Sequence, residues 1–574
     1  MGVKSTFAGI CFLTALSVRA GLVTTLADDE SEGTLRSVLV AASEGETITF
    51  DGALAGGTIT LAAAKGPLTP TVSVSIVGPE SRIAISGGNA TNLLVSANAA
   101  AAITLRNLVF TGSRGYQRLL ANPEVGPAVS IVGDADIENC EFHHNTTYIW
   151  ISEGSEGGGI LRVVGNLRLV GCDFYDNELP EAANYTLGGV GRFSGRDILV
   201  SGCAFVRNSL NSSGEAIRAG GAFSVGGACT NLLVETTLFA SNRFAFAAGA
   251  VVFRDDLPVN GLMRFRSCSF RGHGPGKSGW KSGSTVTDES GRAQRFAFES
   301  CEFYNSLHPG WGGAVRISAS GSRAAFVNCT FVRCRGNHWG GAVDTRCPTW
   351  YVNCTVAGNV NGDTSTQGGT LFAINSVHLL NTACVYNYVG NGATAVDLYK
   401  YGGTLAAYNC YTHTASSIFS PSDNVKDYVR EGTEGLAATR FFVEPLVSET
   451  GFTAGGGTYA FANPILVPTV TADKDDPKAA RAVEPLAKAE GGVLDRKGWP
   501  VKANADYSYV AYSKDGGATW TKLVSSMNDA DAASATLILA DSRGKSYPTD
   551  AGGIPIPPIG SAIAKALGLV LIAR

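Results

Sequence analysis

Trp311 and Trp339 each stand immediately before a glycine pair, Gly312-Gly313 and Gly340-Gly341, 28 residues apart. His308 and His338 precede them, and Arg316, Asp344 and Arg346 follow. If that interval is one structural repeat, Trp311 lies over Trp339 and Arg316 aligns with Asp344. The two histidines, offset by two positions, are then neighbours without being aligned. Trp280, three residues before Gly283, extends the strip less regularly. Aromatic faces suit sugar rings, and an Arg beside an Asp can hold hydroxyls or carboxylates. Catalysis on a polysaccharide asks for more. A lyase needs a base near the acidic carbon and a cation for the carboxylate, and a hydrolase needs two carboxylates at a suitable separation. The ligand-binding candidates are therefore Trp311, Trp339, His308, His338, Arg316 and Asp344, and no catalytic residue is assigned. A second group, His143-His144 with Asp173 and Asp176 one repeat later, has metal-ligand chemistry. Exposed turn residues explain it better, so no metal or other cofactor is expected. No phosphate-binding Gly-x-x-x-x-Gly-Lys-Ser/Thr loop occurs.

The elements that must position these residues are set by a repeated phrase, Cys-x-Phe-x-x-Asn. Its first position is Cys140, Cys172, Cys203, Thr237, Cys268, Cys301, Cys329 and Cys354, with Leu108 before and Thr382 and Cys410 after. Its second is Phe110, Phe142, Phe174, Phe205, Phe239, Phe270, Phe303 and Phe331. Its third is Asn145, Asn177, Asn208, Asn242, Asn359 and Asn387, with His273, Ser306 and Cys334 as variants. Copies recur every 25–34 residues, a period that signals stacked supersecondary units. Cys and Phe two apart share one face of a strand, which must be the inner one. The asparagines mark a turn and are expected to bond from rung to rung. The glycine pairs are expected to supply the positive φ of a tight corner. Nothing in the array recurs at helical spacing, and a propeller blade needs a longer period. The expectation is an all-β protein, a right-handed parallel β-helix.

Aligned cysteines would stack with parallel Cα–Cβ vectors, a poor geometry for a disulfide. Buried thiols are expected instead. Of the cysteines off the ladder, Cys334 and Cys347 are the likelier couple to bond.

The chain has 574 residues, of which 71 are glycine, with 16% charged and a net charge of −4. That composition suits a turn-dense β protein, and the absence of a basic excess gives no reason to expect nucleic acid. Residues 1–20 read as a signal peptide, with Lys4 before an apolar run over 7–18. Residues 21–107 read as an N-terminal cap and opening rungs. There Leu35, Val38, Leu39 and Ala42 mark one face of a short capping helix. The array occupies 108–415, a terminal cap and linker 416–490, and a small C-terminal β module 491–574. No segment of the mature chain is long enough to span a membrane.

The phrases Phe142-His143-His144-Asn145, Phe174-Tyr175-Asp176-Asn177 and Phe205-Val206-Arg207-Asn208 alternate with Gly312-Gly313-Ala314-Val315 and Gly340-Gly341-Ala342-Val343. This array, over roughly 105–415, resembles the repeats of the chlamydial polymorphic outer-membrane proteins. The resemblance implies a parallel β-helix at the cell surface, with an adhesive role in some members. Those proteins end in a membrane β-barrel, for which the stretch after Gly491 is too short. The opening around residues 23–50, with Asp541-Ser542-Arg543-Gly544 and Pro558-Ile559-Gly560-Ser561, also resembles large exported bacterial β-helix proteins with variable C-terminal anchors. The expected function is that of an exported, cell-surface rod, glycan-binding, adhesive or structural, whose partner is a polysaccharide or a host or cell-surface glycan. The alternative is a polysaccharide lyase or glycoside hydrolase acting on the side of the β-helix.

Overall fold

The computed structural model describes residues 20–412 apart from 116–126, 148–158, 180–188, 211–219, 245–248, 255, 276–283, 309, 328, 353, 363–367, 381, 386 and 391–393, and, further on, isolated strands. Residues 1–19 of the stretch read as a signal peptide, Trp280 and the tail after residue 538 lie outside the described residues.

The chain winds into a right-handed parallel β-solenoid of about 10 turns. One turn shows the plan. Arg323–Val327 belongs to a lead sheet, Thr330–Val332 to a phenylalanine sheet, Arg335–Gly336 to a short ladder, and Val343–Thr345 to a return sheet. Each strand pairs in parallel with its counterpart one turn on.

Register is fixed by the inward side chains. Phe110, Phe142, Phe174, Phe205, Phe239, Phe270, Phe303 and Phe331 are consecutive partners on the phenylalanine sheet. Their rings stack at centroid distances between 4.5 and 5.4 Å, close to the spacing of neighbouring strands. All are fully buried. Slipping the register by one residue would turn every ring to solvent, and each stacked pair adds about 0.5–1.5 kcal/mol beyond its area burial.

The asparagine ladder forms as expected. Asn177 Nδ2 donates to the Phe142 carbonyl at 2.8 Å and to Asn208 Oδ1 at 2.9 Å. Asn208 repeats both bonds, to the Phe174 carbonyl and to Asn242 Oδ1. These amides are buried, and the ladder satisfies them without water.

The tight corners are made differently from the expectation. Each is a single left-handed residue, one just before the cysteine-ladder position (Asn139 φ 53°, Gly171 φ 60°, Thr236 φ 46°, Ser300 φ 51°) and one just before the asparagine-ladder position (His144 φ 50°, Asp176 φ 52°, Arg207 φ 50°, Gly358 φ 63°). The glycine pairs serve mainly close approach. A Cβ on Gly159 would strike the Gly189 carbonyl, and one on Gly189 the Gly220 carbonyl. Only Gly312 and Gly340, among the described glycines of these pairs, also have positive φ, at 68° and 127°.

The described ladder cysteines from Cys140 to Cys354 are buried free thiols. Cys334 and Cys347 are also free, which corrects the expected pairing. They sit at different corners of one turn. Cys334 follows the phenylalanine strand and donates to the Phe303 carbonyl, whereas Cys347 follows the return strand.

Near the start, α1 (Leu35–Ala41) is capped by Thr34, whose hydroxyl accepts from the Ser37 amide. Its Leu35 and Leu39 join the core. After the last rungs, Val443–Ala454 and Gly457–Thr469 pair antiparallel, inside the stretch read as cap and linker. Short antiparallel pairs follow, Val493–Leu494 with Pro500–Lys502 and Ala511–Ser513 with Thr521–Lys522. Among the described residues no helix is long and apolar enough to cross a membrane.

Candidate functional site

The site is built on the return sheet, whose strands are only three residues long. In each, the outer residues turn into the core, as Val315 and Ile317 do, and the middle one projects outward. The pairing puts Thr287, Arg316, Asp344, Phe372 and Tyr399 in one outward row. The loops that enter the strands add Trp311, His338 and Trp339 on one flank, and Arg346 lies two residues beyond Asp344 on the other.

These side chains meet. The Trp311 and Trp339 rings lie 6.4 Å apart, tilted by 38°. His338 lies 5.9 Å from Trp311. The expected overlap of the tryptophans is thus adjacency without face-to-face stacking, since the two loops turn differently at Gly312 and Gly340. Trp339 instead stacks on Phe372 at 5.4 Å, and Phe372 on Tyr399 at 5.9 Å. The Arg316 guanidinium covers the Trp311 face at 4.1 Å, and Arg346 lies 5.6 Å from the Trp339 centroid.

Charge is arranged around Arg316. Its Nη1 donates to Glu289 Oε1 at 2.9 Å, and its Nε lies 3.6 Å from Asp344 Oδ2. Asp344 has no exposed surface, and neither of its carboxylate oxygens accepts a hydrogen bond. Burial pushes this carboxyl up to about 6 against the opposing pull of Arg316 and Arg346. Trp311, Trp339, Arg346 and Tyr399 are half-buried and His338 is exposed, so these form the accessible surface. Arg316 and Asp344 form a charged floor beneath it.

Five of the six expected residues gather here. His308 does not. Its neighbour Leu307 bridges to Arg335 and is 38% exposed, so the alternation of the strand turns His308 inward. There it lies near His273, and burial lowers both imidazoles, His273 to about 4. In register His308 aligns with buried Gly336, the last residue of its short strand, whereas His338 falls in the bend that follows and is exposed. Phe372 was missed although a signal existed, since it follows Gly369 by three residues as Asp344 follows Gly341. Tyr399 lacks a glycine pair before it, and no motif marked Glu289.

The His143-His144 candidate has its side chains occupied. His143 Nδ1 lies 3.2 Å from Thr111 Oγ1 and 2.8 Å from His144 Nδ1, and its ring stacks on Tyr175. Asp176 is held by Arg207 at 2.9 Å. Among the described residues no group of three or more His, Cys, Asp and Glu side chains is placed to hold a metal ion.

Fold and row together define a parallel β-helix with an aromatic and cationic strip along one side. No protein-family model matches the chain, and no curated protein matches it.

Proposed function

We propose that this chain is an exported, cell-surface β-helix rod that binds glycan along its return sheet. One observation carries the reading. Trp311, Trp339, Phe372 and Tyr399 form a continuous series of neighbouring rings spread over successive rungs, half-buried except for the buried Phe372 that links them, with cations beside them. Half-buried aromatic rings at rung spacing suit successive sugar rings of a chain laid along the solenoid. The apolar segment after Lys4 supports export, and the likeness of the repeats to the chlamydial polymorphic outer-membrane proteins supports a surface location.

A second reading, a polysaccharide lyase or glycoside hydrolase, is favoured by Glu289 and Asp344 on either side of Arg316, which puts carboxylates beside a cation. The burial of Asp344 weighs toward binding, because a proton acceptor must reach its substrate.

A glycan array probed with the full chain tests the proposal. Bound glycans should be lost when Trp311→Ala and Trp339→Ala are combined, with circular dichroism unchanged. Retention of binding in that double variant would refute the strip. Release of oligosaccharide products from a bound glycan would move the assignment to the enzyme.

A further inference from the structure

The two arginines of the strip differ in their commitments. Arg316 is engaged by Glu289 and Asp344 and lies flat on Trp311. The Arg346 side chain makes no hydrogen bond or ion pair with any described residue, and its Nε is buried without a partner. Its guanidinium nevertheless stands beside the Trp339 ring, on the accessible side of the row. An arginine whose fork is unused, held next to an aromatic platform, is prepared for a planar anion. The planar fork matches a carboxylate with two parallel N–H···O bonds.

Resting on the glycan-binding reading above, we propose that the strip selects carboxylate-bearing sugars, with Arg346 receiving the carboxylate while the sugar ring lies on Trp339. Arg316 does not compete for the ligand, because Glu289 and Asp344 hold it in place. Its role is to keep Trp311 flat and to offset the charge of the floor. Hexuronate units along a polysaccharide are the ligand class this geometry fits. A neutral sugar would use the same rings and leave Arg346 unpaired.

The experiment compares oligogalacturonate with the same oligomer after carboxyl reduction, titrated into the full chain by calorimetry. The acidic oligomer should bind at least about tenfold more tightly, as expected for a charge-assisted pair. Arg346→Gln should remove that preference while leaving the reduced oligomer within about twofold. Arg346→Lys, which keeps the charge and loses the fork, should recover part of it. Thermal melts of both variants verify folding, and the Lys variant serves if the Gln variant does not fold. Equal affinity for the two oligomers overturns the inference and leaves glycan binding standing. A preference that survives in Arg346→Gln also overturns it, placing the carboxylate elsewhere. Binding of neither oligomer, with no hit on the array, removes the glycan reading and this inference together.

Discussion

The rungs between Asn145 and Asn242 and those between His273 and Cys334 share one backbone plan and differ in what fills the second corner. In the first region the corner holds a buried amide ladder in which every Asn both donates and accepts. In the second the same position reads His273, Ser306 and Cys334, and neither His273 nitrogen has a hydrogen-bond partner. The ladder resumes at Asn359, which donates to Asn387 Oδ1 at 3.0 Å. The interrupted rungs are also those whose outer return face carries Arg316, Trp311 and Trp339. The solenoid therefore does not need the amide ladder at every turn, because the phenylalanine stack continues through the gap. Redundant packing frees some rungs to depart from the repeat, and the departures on the outside form the strip.

The largest effect separating the regions should come from Asn208→Leu. It removes the acceptor of the Asn177 main-chain N–H and breaks three further side-chain bonds, those from Asn177 Nδ2 to Asn208 Oδ1 and from Asn208 Nδ2 to the Phe174 carbonyl and to Asn242 Oδ1. At about 1–3 kcal/mol for the unpartnered amide and about 1 kcal/mol for each of the other three bonds, the loss is on the order of 4 kcal/mol. Ser306→Ala, at the same corner in the gap, removes a hydroxyl with no partner and should cost under about 1 kcal/mol. Thermal melts and amide hydrogen exchange over 172–242 read both. Equal costs would mean that the ladder is not what distinguishes the regions.

The repeat phrase was enough to read the fold. Its alternation decided that Cys and Phe point inward, and the period decided parallel stacking. The corners escaped, because a left-handed residue is set by the strand geometry on both sides and here falls on single glycines and on Asn, Thr, Ser, His, Asp and Arg alike. Trp311, Trp339, Arg316 and Asp344 were legible because the glycine pairs gave a register to count from. His308 was misplaced because counting along a repeat gives proximity, and only the alternation at Leu307 gives the side of the wall. Glu289 was invisible since its role depends on where the Arg316 guanidinium reaches.

Inside and outside should also answer acid in opposite senses. The Asp344 carboxyl is raised from its ordinary 3.8 to about 6. The folded chain thus keeps a proton that the unfolded chain has lost, and this group's contribution falls as pH climbs from about 4 to about 6. His273 is lowered from 6.5 to about 4. The folded chain then lacks a proton that the unfolded chain binds, so its contribution grows over the same window. Asp344→Asn isolates the first term. Carrying the carboxyl from 3.8 to about 6 corresponds to about 3 kcal/mol. The variant should gain up to about that much at pH 7.5 and match the parent at pH 3.5. Glu289, Arg346, Cys347, Tyr351 and His338 surround the pair of Asp344 and Arg316 and are unchanged by the substitution. A constant difference between the two melts across pH would show that the Asp344 carboxyl titrates alike in the folded and unfolded chains.

The smallest effect should fall on the first corner, where the two regions are alike. Thr237 already stands in the cysteine ladder, with its hydroxyl donating to the Glu235 carbonyl at 2.8 Å and lying 3.4 Å from the Cys203 amide that donates to it. The Cys268 thiol makes the corresponding bond to the Arg266 carbonyl at 3.4 Å, and it also reaches the Val234 carbonyl at 3.4 Å. A threonine there has the donor and the size the corner accepts, so Cys268→Thr should cost under about 1 kcal/mol. Cys268→Leu should cost about 1–3 kcal/mol through overpacking. Melting temperatures of the two variants decide whether the ladder selects for sulfur or only for a small buried donor. If threonine proves as costly as leucine, the thiols have a role beyond filling the corner, and the two regions are less alike there than the shared contacts imply.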